Sequence, residues 1–369
     1  MEQFNDVKEF AQHIADHLFD ERPDLAEGTK IDVNEVTKNN GQILQGLTIK
    51  SEDSNIAPTI YVNPSFEQFL KGQPIEDIID GIVDTYENNR GPKNMSVEFF
   101  TDFDQVKDRL AMKVVNADKN AEMLEGCPHF TFGDLAAIFQ VQVEANEFGN
   151  ATITVKNEHM DMWGVDSQTL MNHARENMED KQPVHIQSML EVLQGMMGGE
   201  LPDEMLGMPE PAMYVMTNET KINGAAAMIF TDKLQEFAEQ HDTNFFILPS
   251  SIHEILLVPE NGEMDVKGLM DMVREVNDTQ VSPEEVLSYN VYFYDKDEKQ
   301  LMLAETREPM ELKDPSKDKN VPEKKAPEKK EPEKPKSIKE RLNEGKAKVA
   351  AKDAEPKTPK AKSKGVEIE

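Results

Sequence analysis

A single cysteine, Cys127, stands in 369 residues, which excludes an intramolecular disulfide and suits a reducing cytosol. Long apolar runs are missing too. The longest, residues 245–258, is interrupted by Pro249, Ser250, His253 and Glu254, and a membrane-spanning helix needs roughly 18 apolar residues. The opening Met-Glu-Gln-Phe-Asn-Asp6 carries neither a basic start nor an apolar stretch, so no secretory signal is expected. Nor is there a Walker A sequence, a G-x-G-x-x-G behind a strand, an HExxH, a zinc-type cysteine spacing or a G-x-S-x-G elbow. Without these signatures the case for an enzyme weakens, and no cofactor is expected. The chain is expected to be cytoplasmic and to enter no membrane.

Basic charge is scarce over most of the chain. Residues 1–312 hold 22 Lys+Arg against 59 Asp+Glu, a net of −37, whereas residues 313–369 hold 18 against 12, a net of +6. An acidic body is repelled by nucleic-acid phosphates, so no direct nucleic-acid binding is expected. Such a surface confers solubility. It also attracts a basic partner protein.

What is present is enough apolar material, 38% of residues, for a real core, and the length suggests two domains or one with appendages. Apolar residues recur at helical spacing in residues 4–20 and again at Ile75, Ile78, Ile79, Ile82, Val83 and Tyr86. Between these helices, residues 31–37 and 43–50 read as strands joined at Lys38-Asn-Asn-Gly41, where Asn-Gly supplies a tight turn. Residues 59–62 read as a short strand. A further helix is expected over residues 102–115.

A second lobe is expected from Cys127. Residues 139–143 and 151–155 form a hairpin by pattern, and a helix runs over residues 167–178 with Asp166 or Ser167 as its cap. Residues 182–212, rich in Met and Gly, resist assignment. Residues 214–217 and 225–230 read as strands around a turn at Asn223-Gly224, and a helix follows to about His241. Residues 245–248 form a buried strand, Pro249-Ser-Ser a turn, and residues 252–258 a strand or short helix. Val266, Leu269, Met270, Val273 and Val276 mark a helix. Ser282-Pro-Glu-Glu285 has capping-box spacing, and the aromatic residues 289–294 close the folded part as a strand. From Lys313 the Lys/Glu/Pro-rich composition, with repeated Pro-Glu-Lys units, predicts disorder.

The densest group of reactive side chains is Ser250, Ser251, His253 and Glu254. A catalytic triad is assembled in space from separate segments, and here the residues are consecutive. Neighbouring strand residues also face opposite ways. A turn whose serines bind local backbone is the better reading. Cys127 lies two residues from His129 with nothing to lower its pKa, and reads as a small buried thiol. His13 and His17 share a helix face without a third ligand. His159, Asp161, His173 and His185 show no metal-ligand spacing, so no metal site is expected. Met189, Met196, Met197, Met205, Met208, Met213 and Met216 fall within one short window, suited to irregular packing or to an adaptable partner surface.

Several short stretches together resemble a bacterial family, domain of unknown function 5688. They are Lys38-Asn-Asn-Gly41 with Gly46-Leu47, Pro58-Thr-Ile-Tyr61, Trp163-Gly-Val165 with Ala174 and Asn177, and Tyr214-Val-Met-Thr-Asn218 with Asn223-Gly-Ala225. Leu248-Pro-Ser-Ser-Ile-His-Glu254 and Pro283-Glu-Glu-Val-Leu-Ser288 complete the set. The resemblance spans nearly all of residues 1–305 and implies no activity, substrate or cofactor. The tail around Ser337-Ile-Lys-Glu-Arg-Leu-Asn-Glu-Gly345 is similar to tails on proteins of integrative and conjugative elements.

The expectation is therefore an α+β protein with antiparallel or mixed sheets packed by helices. An N-terminal lobe would occupy residues 1–126, a C-terminal lobe 127–312 and a disordered tail 313–369. Its expected role is that of a non-enzymatic acidic interaction protein with a basic protein partner, encoded on mobile DNA. Two alternatives stand beside it. One is a hydrolase or transferase using Ser250 or Ser251 with His253, or Cys127; the other is an acidic nucleic-acid mimic.

Overall fold

The amphipathic stretch after Asp6 becomes a helix because the Asp6 side chain accepts the Glu9 N–H at 2.8 Å, replacing a bond the first turn lacks. This helix, α1 (Val7–Glu21), buries Phe10, Ala11, Ile14 and Leu18. Two strands follow, β1 (Thr29–Thr37) and β2 (Ile43–Ser51), paired antiparallel from Thr29↔Ser51 to Thr37↔Ile43. The turn between them places Asn40 at φ 60° and Gly41 at φ 66°, the left-handed region that these residue types tolerate. The short strand β3 (Thr59–Tyr61) adds to the far side of β2. Helices α2 (Asn63–Leu70) and α3 (Ile75–Asn88) follow, and the stripe Ile78, Ile79, Ile82, Val83, Tyr86 is buried. These elements close one core around Phe10, Ile14, Leu47, Ile49, Ile79 and Val83.

The structure is a computed structural model that describes residues 3–52, 54, 57–89, 98–146, 149–198, 213–249, 251–262 and 265–318. Met1–Asp318 form one compact unit. Residues 319–369, most of the expected tail, lie outside the described residues.

The helix expected over residues 102–115 is only a short helix, α4 (Phe103–Val106), before the chain turns into strand β4 (Leu110–Asn116). Six of the seven β4 residues are buried; an apolar run with two β-branched valines, covered on both faces, suits a strand better than an amphipathic helix. Helix α5 (Ala121–Glu125) leads to β5 (His129–Phe132), β6 (Leu135–Asn146) and β7 (Gly149–Thr154). β6 pairs with β4, β5 and β7, all antiparallel. The division placed at residue 126 falls inside this sheet, and the hydrophobic clusters part between Tyr86 and Val106 instead.

Helix α6 (Asn157–Trp163) ends at Gly164, and α7 (Ser167–Lys181) begins where Asp166 accepts the Thr169 N–H at 2.8 Å. The unassigned Met-rich stretch yields strand β8 (Val184–Ser188) and helix α8 (Met189–Met196); residues 199–212 lie outside the described residues. β9 (Tyr214–Asn218) is a strand as expected, but residues 225–230 are not. Gly224–Ile229 form a wholly buried 3-10 segment, because its small side chains, Ala225-Ala226-Ala227, let backbone pack directly against β4 and β9.

Helix α9 (Thr231–His241), strands β10 (Phe245–Leu248) and β11 (Ile255–Pro259), and helix α10 (Val266–Thr279) come next. The capping-box spacing at Ser282 starts no helix. Glu285 N–H bonds to Ser282 O at 2.7 Å, closing a single turn, after which Val286 bridges Ser251. Strand β12 (Tyr292–Asp295) is followed by a further strand, β13 (Gln300–Leu303), and by helix α11 (Pro315–Asp318). The second sheet of this lobe runs β13-β12-β10-β11-β9-β8. Lys313 pairs with Thr131, so the packed chain continues past Lys313, where disorder was expected to begin.

The result is an α+β architecture of three antiparallel sheets packed by helices. One face of the six-stranded sheet shares a large core with β4–β7, α7 and α9; the other face, with Phe246, Val258 and Phe293, packs on Leu269 and Val273 of α10. Among the described residues, no helix is long and apolar enough to cross a membrane.

Candidate functional site

β10 lies inside the six-stranded sheet and all four of its residues are buried. After Pro249 the chain turns. Ser251 Oγ accepts the His253 N–H at 3.0 Å, Ile252 N–H donates to Glu285 O at 2.9 Å and Ser288 N–H to Pro249 O at 3.3 Å. The Ser251 hydroxyl is therefore buried and tied to backbone. Ser250 lies outside the described residues, and Glu254 is exposed just before β11.

His253 is held at both ring nitrogens. Nδ1 accepts the backbone N–H of Asn223 at 3.2 Å, which leaves the proton on Nε2, facing Glu285 Oε1 at 3.3 Å; the partners thus select the tautomer. A catalytic imidazole turns one nitrogen to its nucleophile. In this turn the backbone holds one nitrogen and a carboxylate faces the other.

Asn223 can reach His253 because its backbone is left-handed, φ 54°, and because Gly224 follows. A Cβ at Gly224 would lie 2.1 Å from Thr217 Oγ1 and 2.4 Å from His253 O. The side chain of Asn223 continues the polar chain, donating to Gln140 Oε1 at 3.2 Å. Gln140, Gln142, Thr152, Gln182 and Asn223 are among the residues lining a small cavity of about 100 Å³.

Lys113 of β4 stands opposite Ile138, which in turn stands opposite His129, so the three share one sheet face. Burial pushes the Lys113 ammonium below the ordinary lysine range, the charge of Lys38 pushes the same way, and Glu285 opposes both. No ion-pair or hydrogen-bond partner for Lys113 is found among the described residues. The Glu285 carboxylate, 3.3 Å from the His253 ring, thus also acts by its charge on Lys113.

A second polar network fixes the turn that carries Glu285. Asn40 donates its amide to Pro283 O at 2.9 Å and to Val286 O at 2.7 Å, and Asn39 donates to Glu284 O at 2.7 Å. Asn120 accepts the Asn40 N–H at 2.9 Å, while Asn116 donates to Leu287 O at 3.2 Å. Asp134 accepts from Ser288 Oγ at 2.6 Å and from the Tyr292 hydroxyl at 2.9 Å. Burial first, and then the Asp134 charge, drive the Tyr292 phenol well above its ordinary pKa.

The other candidate residues are dispersed. Cys127 is buried, and that burial raises its thiol pKa while Lys156 opposes the rise. His129 bonds the Cys127 carbonyl at 2.8 Å, not the sulfur. The rings of His13 and His17 stack at 4.1 Å. His159 packs on Phe100 and Trp163, His173 is 3.8 Å from Glu176, His185 contacts Glu219, and Asp161 is exposed. Among the described residues no three His, Cys, Asp or Glu side chains gather around a common point. The methionines divide: Met216 is in the core, Met213 packs beside α10, and Met196 and Met197 are exposed. Met205 and Met208 lie outside the described residues.

The profile of a family, described as Family of unknown function (DUF5688), matches residues 7–296. The chain belongs to this family. The DUF5688 match takes in every element from α1 to β12, and with them Lys113, Asn223, His253 and Glu285. Searches among curated proteins and among solved structures give no match.

Sequence reading reached His253 and Ser251 but not Asn223, Glu285, Gln140 or Lys113. For Lys113 a signal existed, a lone charge inside Leu110-Ala-Met-Lys-Val-Val115. For Glu285 the capping-box pattern drew attention to the wrong property.

Proposed function

We propose that the protein is a non-enzymatic interaction protein whose acidic body receives a basic protein partner. The observation that carries this reading is the net charge of −37 over residues 1–312, a field that speeds encounter with cationic surfaces. The turn of highest reactive-group density adds support, since Ser251 and both nitrogens of His253 are engaged by protein groups. Affinity capture with the full chain tests the reading. Specific basic proteins are expected, with association slowing as ionic strength rises. Capture that is indifferent to salt overturns it.

Lys113 favours a second reading, a transferase or hydrolase with an amine nucleophile, because a desolvated lysine that makes no ion pair among the described residues is the kind that attacks carbonyls. Borohydride trapping of a small aldehyde, located by mass spectrometry, tests it. Labelling of Lys113 no faster than that of exposed lysines removes this reading.

A further inference from the structure

Several sheet edges in this fold are covered or blunted. The outer edge of β4 is met by α7: Met112 N–H points to Met178 Sδ at 3.2 Å, and Asn177 donates to Leu110 O at 2.9 Å. β5 is bridged by Lys313. β13 is covered by the chain after it, with Leu303 N–H on Glu308 O at 2.9 Å and Met310 N–H on Leu301 O at 2.8 Å. β1 carries Lys30, Asp32 and Glu35, and β3 is a three-residue strand set between Pro58 and Pro64; charge, brevity and proline all discourage strand addition. β8 ends the six-stranded sheet with no such cover among the described residues.

Hydrogen-bond alternation shows which groups β8 leaves open. Glu219 N–H bonds to Pro183 O at 3.2 Å and Met189 N–H to Met213 O at 2.9 Å. In an antiparallel pair the bonded positions alternate, so His185 and Gln187 face Thr217 and Val215 through hydrogen bonds. Val184, Ile186 and Ser188 then turn their N–H and C=O groups away from β9. Ser188 N–H is taken by Glu191 at 2.8 Å; among the described residues nothing takes up the N–H and C=O of Val184 and Ile186 at this edge.

The same two residues send their side chains into a groove of about 600 Å³ between β8 and α9, whose floor is completed by Tyr214 and Phe237. Side chains two apart on an added strand repeat about every 6.8 Å, the spacing of Val184 and Ile186 themselves. The rim carries one net negative charge: Glu191 and Glu236 line it against Lys233, whose ammonium lies 2.8 Å from Glu236, which leaves Glu191 as the carboxylate without a cation beside it among the lining residues.

We propose that β8 and α9 form a docking groove for an extended segment of a partner protein, added to the sheet as a further strand. That segment places apolar side chains at alternate positions in the groove; the Lys or Arg between them face the other side of the sheet, where Glu219 meets His185, and those beside the groove approach Glu191 and Glu236, the complement of an acidic body. The inference rests on the reading of the chain as an interaction protein, and names the surface that reading lacks.

The test uses the full chain and a labelled nonapeptide alternating valine with lysine, read by fluorescence anisotropy. It is expected to bind at least tenfold more tightly than a valine–glutamate peptide, or than the same peptide N-methylated at every second residue. Ile186→Pro removes an N–H that points away from β9, so the sheet keeps its bonds; this variant should melt like the parent and lose at least tenfold in affinity. Val184→Lys, which puts a cation on the floor, should weaken the valine–lysine peptide as strongly. Equal binding of all three peptides, or full affinity in both folded variants, overturns the groove. So does self-association that Ile186→Pro abolishes in sedimentation, which would assign the edge to a second copy. If Ile186→Pro still captures basic proteins in a salt-sensitive way, the groove falls while the acidic-surface reading stands. If the parent chain captures none, that reading falls as well.

Discussion

The backbone N–H of Asn223 donates to Nδ1 of His253 at 3.2 Å, so that the imidazole proton resides on Nε2, opposite Glu285. Nitrogen-15 NMR of the imidazole is expected to show a protonated Nε2 and an accepting Nδ1 at pH 8. In Glu285→Gln the same tautomer should persist, since the Asn223 backbone remains. A ring protonated at Nδ1 would contradict the geometry.

Gly224→Ala should be among the most damaging single changes around the six-stranded sheet. Its Cβ would press on Thr217 Oγ1, His253 O and the Asn218 backbone nitrogen, which lies at 2.9 Å. Two of those atoms are main chain and cannot swing aside. A loss of about 3 kcal/mol in urea unfolding is expected. A loss below about 1 kcal/mol would mean that the backbone there has room to relax.

Asn40 has two tasks that substitution can separate. Asn40→Gly keeps the φ of 60° accessible but loses the side-chain bonds to Pro283 and Val286; about 2 kcal/mol should be lost. Asn40→Ala loses the same bonds and adds the cost of a left-handed backbone, about 1 kcal/mol more. Chemical denaturation that gives equal losses would show that the turn carries no backbone strain.

Lys113→Met should stabilise the fold by about 1 kcal/mol, because it removes a charge that burial disfavours. The sign follows from linkage. Lys113 has a folded pKa below its unfolded value, so between the two values the unfolded chain binds more protons and stability rises with pH. The parent should therefore gain stability through the mildly alkaline range more steeply than the variant. Above pH 10 the Tyr292 phenol, whose folded pKa is raised, acts in the opposite sense, so the comparison belongs below that point. Parallel urea midpoints for the two proteins across this range would dissociate Lys113 from the effect.

How far the sequence alone reaches can be seen in two Asn-Gly pairs. At Asn40-Gly41 the neighbours on both sides alternate, and the pair makes the hairpin that its chemistry indicates. At Asn223-Gly224 the same dipeptide feeds three alanines, and Gly224 is needed for close approach to Thr217 and His253. Local chemistry is identical; the difference lies in what packs above it. Likewise residues 110–116 look helical in isolation and become a strand because both of their faces are buried. The amphipathic helices α1, α3 and α10 and the central strand β10 were legible, since each declares its buried side by spacing. Of the candidate site only Ser251 and His253 could be read. Glu285, Asn223 and Lys113 are separated from His253 by 30 or more positions, and only the folded chain brings Glu285 and Asn223 to it.

The clasp made by Asn40 also has a temporal side. Its bonds to Pro283 and Val286 join residues 243 and 246 positions apart. At synthesis rates of ~5–20 residues per second, the hairpin waits on the order of 10 to 50 seconds before its partner leaves the ribosome. Contacts of such long range form late and are weakly developed in the folding transition state. Substitutions at Asn40 should therefore quicken unfolding and leave refolding nearly unchanged, making this loop a latch on the lifetime of the native chain more than a guide to its assembly.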